Sequence, residues 1–214
     1  MLNIPVFLTL YAGFTHAFET DHLLAVSNMV TARSRLNKAM KDGIFWGLGH
    51  TSTILFTGCI FLLLKWSITA AWFAYMEAAV GLMLLLLGVY RLVKWYRRPA
   101  MSIYPPINHS HQPVNEPASH LPAYLVGLVH GLAGSGALML IVLSKSQSTT
   151  VSLVYLALFG IGSVAGMMLA AAFFSLPFSK KYVQHRLVQA FLVIISSVLC
   201  IGYGCYIMKE HLHT

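Results

Sequence analysis

An all-α integral membrane protein with six transmembrane helices is the fold class this sequence predicts. Three observations predict it: 57% hydrophobic residues against 9% charged in 214, apolar runs of about 20 residues in succession, and a lopsided spread of Lys and Arg between them. A soluble domain carries roughly 25% charged residues. A core of this size cannot hide so much apolar surface, so lipid must solvate the excess.

Apolar runs place the spans at 4–30, 44–64, 68–93, 122–143, 150–176 and 187–208. Met1 leads into the first run without a basic segment, so that run is expected to stay as a span. Eleven basic residues, Arg33 to Lys41, Arg91 to Arg98 and Lys180 to Arg186, fall on one side of an alternating six-span arrangement. Only Lys65, Lys145 and Lys209 fall on the other. The positive-inside rule then puts both termini outside the cytoplasm, in a multi-pass cell (inner) membrane protein. Topology accounts for the net charge of +8, and no nucleic-acid partner is expected.

Residues 97–121 differ in character: Pro99, Pro105, Pro106, Pro113 and Pro117 lie among His109, His111 and His120. This composition reads as a flexible cytoplasmic linker. It divides the chain into three spans in 1–96 and three in 122–214. Gly13-Phe-Thr-His16 in the first span matches Gly127-Leu-Val-His130 in the fourth, and Gly47-Leu-Gly-His50 in the second matches Gly160-Ile-Gly-Ser163 in the fifth. Three spans is an odd number, so the second copy enters the membrane from the opposite side. Two inverted three-helix repeats are the expectation, with a substrate site near the midplane between them.

The first span carries His16, Glu19, Asp21 and His22 within seven residues. Ionisable groups in hydrocarbon cost several kcal/mol, about 3 for an Asp at the centre of a helix, so they are kept where they face a protein interior, a partner or an ion. At 100° per residue His16, Glu19 and His22 share a stripe while Asp21 points away. Asp21 is therefore expected to act through another helix or as a supporting partner, or the helix breaks; a break or wide turn between Gly13 and His22 is favoured. His50 on the second span completes a candidate site of His16, Asp21, His22 and His50, with Glu19 and His130 as further candidates. Imidazole with carboxylate suits nickel, cobalt, zinc or iron, whereas magnesium and calcium prefer oxygen shells. Cys59, Cys200 and Cys205 form no CxxC pair and read as packing residues.

His16-x4-Asp21-His22 followed by Gly47-Leu-Gly-His50-Thr-Ser-Thr resembles the nickel/cobalt transporter family, whose hallmark is an H-x4-D-H helix followed by a G-H-S-T-type helix. The short chain and the Gly127-Leu-Val-His130-Gly-Leu-Ala-Gly134-Ser-Gly run look most like its branch of urease-accessory membrane proteins. The resemblance implies nickel or cobalt uptake, with Ni2+ or Co2+ as transported substrate rather than permanent cofactor. It also implies supply to a cytoplasmic metal chaperone or a urease or hydrogenase maturation system. Glu19 stands where that family usually carries Asp. No GxxxxGK[ST] motif is present, so ATP could act only through another chain; a secondary permease rather than an enzyme is the expectation. A metal exporter of the same plan and an intramembrane metal-dependent hydrolase are the alternatives.

Overall fold

In the computed structural model, residues 6–30, 36–64, 70–97, 119–133, 148–176 and 186–212 are described. Among them every element is a helix: α1 (Val6–His16), α2 (Thr20–Val30), α3 (Leu36–Leu64), α4 (Ala70–Tyr96), α5 (Leu121–Ala133), α6 (Thr149–Ser175) and α7 (Arg186–Leu212). Four of these, α3, α4, α6 and α7, are long and apolar enough to cross a membrane. Phe7, Phe56 and Phe173 are 77%, 67% and 68% exposed, which is the outward apolar face that lipid solvates.

The 4–30 run does break, and inside the expected stretch. Phe18 N–H donates to the Thr15 carbonyl and Glu19 N–H to that of His16, tightened bonds to the third residue back. The ordinary helical step resumes with Leu23 N–H on the Glu19 carbonyl. At about 1.5 Å per residue, α1 and α2 are each too short to cross an apolar core of about 30 Å. The second helix begins at Leu36 rather than at 44, because an apolar run marks lipid contact and not where a helix stops. Pro122 sits in the first turn of α5, where a missing N–H leaves nothing unpaired. Of the expected linker, 98–118 lies outside the described residues, as do 134–143 of the fourth expected span.

Glycines set how the helices pack, by letting backbones touch. Gly162 rests on Leu10 and Gly166 on Phe14, so α1 and α6 run parallel. Asp42 meets His120 and Gly131 rests on His50, so α3 and α5 also run parallel. Gly43 faces Met167 while Gly160 faces Thr51, so α3 and α6 are antiparallel. It follows that α1 and α5 point in opposite directions and bring their C-terminal histidines, His16 and His130, toward each other. In a separate pair, α4 and α7 cross antiparallel through Gly81 against Gly204, with the Cys200 thiol on the Leu84 carbonyl.

The crossings come in reciprocal pairs. Gly13 on Phe159 is answered by Gly127 on Trp46, and Gly162 on Leu10 by Gly49 on Tyr124. Gly47 on Val164 is answered by Gly160 on Thr51. A shift of 113 or 114 residues turns each contact into its mate, the same offset that aligns the Gly-x-x-His motifs.

Candidate metal centre

The break at 17–19 decides the geometry. A continuous helix would send Asp21 away from His16, but the tightened turn rephases α2, and the two ends of the broken helix face one centre. His16 closes α1, Asp21 and His22 open α2, His50 comes from the middle of α3, and His130 from near the end of α5. His22, His50 and His130 are fully buried and His16 nearly so. The His22 ring lies 4.5 Å from that of His16, 5.3 Å from His50 and 4.2 Å from His130, stacked on the last.

Carboxylates only accept, so each contact with an imidazole fixes which ring nitrogen holds the proton. His16 Nδ1 donates to Glu19 at 2.8 Å. His22 Nδ1 donates to one Asp21 oxygen at 3.0 Å, and His130 Nε2 donates to the other at 3.0 Å. The opposite nitrogens, His16 Nε2, His22 Nε2 and His130 Nδ1, together with both nitrogens of His50, are buried without a hydrogen-bond partner among the described residues. An unmade hydrogen bond on a buried polar atom costs about 1–3 kcal/mol. Imidazoles held by carboxylates at one nitrogen and bare at the other are prepared as metal ligands.

Two sets of atoms are close enough to hold an ion. One donor atom each from His16, His22 and His50 lie within 4.8 Å of one another, and so do one each from Asp21, His22 and His130. Five of the six residues named from the sequence therefore converge, and the sixth, Glu19, reaches the cluster only through His16. Glu19 and Asp21 face imidazoles, so in this conformation their position is that of supports. Asp21 also belongs to the second of the two sets, so its oxygens stand within reach of an ion as well as of the rings.

The family model described as cytochrome C biogenesis protein transmembrane region matches residues 14–206, which takes in the whole cluster. The chain belongs to that family. Among curated proteins it is similar to the urease accessory protein UreH of Bacillus sp. (strain TB-90), 33% identical over 205 residues that cover 89% of this chain and 86% of that one. The chloroplast protein FOR GROWTH AND FERTILITY 2 of Arabidopsis thaliana is 27% identical over 206 residues, 92% of this chain but 54% of that one. This chain spans about half the length of that relative. No solved structure matches.

Two features of this cytochrome c biogenesis-type membrane domain escaped the reading of the sequence. Trp46 is fully buried, its indole N–H unpartnered among the described residues, with its ring 5.6 Å from His22 and 5.8 Å from His130. Its spacing one helical turn before His50 was the available signal. His120, assigned to the linker, is held at the start of α5 by Asp42 at 2.7 Å and stacks on Phe45. Only the folded packing of α3 on α5 brings that pair together, so nothing local in the sequence announced it. The cysteines are all free, Cys200 buried and Cys205 exposed.

Proposed function

We propose that this protein is a permease for divalent transition-metal ions, nickel or cobalt, that takes up the ion through His16, His22 and His50 near the membrane midplane. The observation that carries the reading is the set of bare, buried imidazole nitrogens, three of the rings held from behind by Glu19 or Asp21. Nickel and cobalt suit such a nitrogen-rich shell, and relatedness to a urease accessory protein agrees with a nickel economy. The ion is cargo, and the chain is a carrier rather than an enzyme.

The architecture proposed with it is six crossings in two inverted repeats, 1–96 and 122–214, with both termini outside the cytoplasm of a cell membrane. The reciprocal glycine contacts support the repeats, and the opposed directions of α1 and α5 are what inversion requires. Uptake proceeds by rearrangement of the repeats around the site, and delivers the ion to a cytoplasmic chaperone or urease-type maturation system.

Nickel uptake into proteoliposomes tests this reading. Wild-type protein is expected to carry the ion, while His16→Ala and His22→Ala, inserted in equal amount, carry none above empty vesicles. Undiminished uptake by either variant contradicts the assignment.

A further inference from the structure

His22 belongs to both of the sets that could hold an ion, and His130 belongs only to the second. A neutral imidazole carries one proton, on one nitrogen or the other. With Nε2 on an ion at the first position, His22 keeps its proton on Nδ1 and donates it to Asp21. With Nδ1 on an ion at the second position, the proton must sit on Nε2. One ring cannot serve both positions at once without becoming an anion. His16 closes α1 and His130 lies in the last described turn of α5, which runs in the opposite direction, so the two mark the ends of the cluster.

We propose that the centre is a two-position relay, in which His22 passes one divalent ion from His16 and His50 to Asp21 and His130. The inference rests on the permease reading and adds His130 and Asp21 as ligands of the second position. In the transfer, the bonds from the ion to His16, His50 and His22 Nε2 break, and bonds to His22 Nδ1, His130 Nε2 and an Asp21 oxygen form. His22 gives up a proton at Nδ1 and takes one at Nε2, and His130 gives one up at Nε2 and takes one at Nδ1, so the net proton count is unchanged. Asp21, a support while the ion is at the first position, becomes a ligand once both rings have turned their protons away. The opposed directions of α1 and α5 give the relay its axis, from the side where α1 enters to the side where α5 enters.

Cobalt(II) titration of the purified full-length protein, read by stoichiometry and visible absorption, tests the relay. Wild-type protein is expected to bind one cobalt per chain. His16→Ala/His50→Ala is expected still to bind one, roughly tenfold or more weakly, with an absorption changed by the carboxylate oxygen. Adding His130→Ala to that pair is expected to abolish binding. His130→Ala alone is expected still to bind one cobalt, with the absorption of wild type, and to lose most nickel uptake in proteoliposomes. Each variant is matched to wild type in size-exclusion profile, with His→Asn used at any position where Ala alters that profile.

No binding to His16→Ala/His50→Ala while wild type binds one cobalt overturns the relay and leaves the first site standing. Two cobalt ions bound together in wild type also overturn it, and so does full uptake by His130→Ala. No cobalt binding to wild type overturns the permease reading itself.

Discussion

A buried imidazole nitrogen left unsatisfied is a burden of about 1–3 kcal/mol, and here three rings with one such nitrogen and His50 with two share one centre. Fixing a ring by its far nitrogen raises its basicity and its orientation toward an ion. Asp21 fixes two rings and Glu19 one, from a half-exposed position. Asp21→Asn, which leaves one acceptor oxygen for two imidazoles, is expected to weaken nickel binding roughly 10–100-fold. Glu19→Gln keeps an acceptor for its single ring and is expected to weaken it less than tenfold. Isothermal titration with nickel measures both, and an equal or reversed order would contradict these roles. The residue types were legible in the sequence because oil tolerates none of them without a reason. Their division of labour was not, since it depends on which oxygen meets which ring across 109 residues of chain.

At the scale of elements, the break between α1 and α2 was legible because helical phase alone could not gather His16 and Asp21. Its position at 17–19 is set by the tightened bonds from Phe18 and Glu19. The extra two turns at the start of α3 were not legible, because Lys38, Lys41 and Asp42 interrupt the apolar run without ending the helix. Packing depends on glycine where backbones cross. A Cβ at Gly13 would run into the Phe159 backbone and one at Gly127 into that of Trp46, whereas one at Gly202 meets no atom within 4 Å. Gly13→Ala and Gly127→Ala are expected to lose about 1–3 kcal/mol by overpacking, and Gly202→Ala to stay within about 0.5 kcal/mol of wild type. Thermal unfolding in detergent separates them. Equal midpoints for Gly13→Ala and Gly202→Ala would contradict the crossing.

The whole molecule joins two kinds of contact. The helices α1, α3, α5 and α6 are sewn together by backbone-to-backbone glycine crossings, while α4 and α7 form their own antiparallel pair. Between these two groups α2 reaches α7 through Asn28, which donates to the Ser196 carbonyl and accepts from the Ser197 hydroxyl. The internal likeness of the halves was legible in two short Gly-x-x-His and Gly-x-Gly motifs, because close helix approach demands glycine at the same step in each half. The second half has Ser163 where the first has His50, so the pairing seen in the glycine contacts does not extend to the histidines. For the proposed topology, a single cysteine placed at Thr214 in a cysteine-free background is expected to react with a membrane-impermeant maleimide added to intact cells. One placed at Ser102 is expected to react only after permeabilisation; the opposite pattern would invert the orientation.

Anomalous scattering at the nickel edge, from crystals of the purified protein equilibrated with nickel, puts the metal-site assignment to its most direct trial. The expected result is one strong peak among α1, α2 and α3, with His16, His22 and His50 nitrogens drawn to roughly 2.1 Å from it. A nickel bound elsewhere, with these three rings unmoved and their nitrogens still bare, would contradict the account.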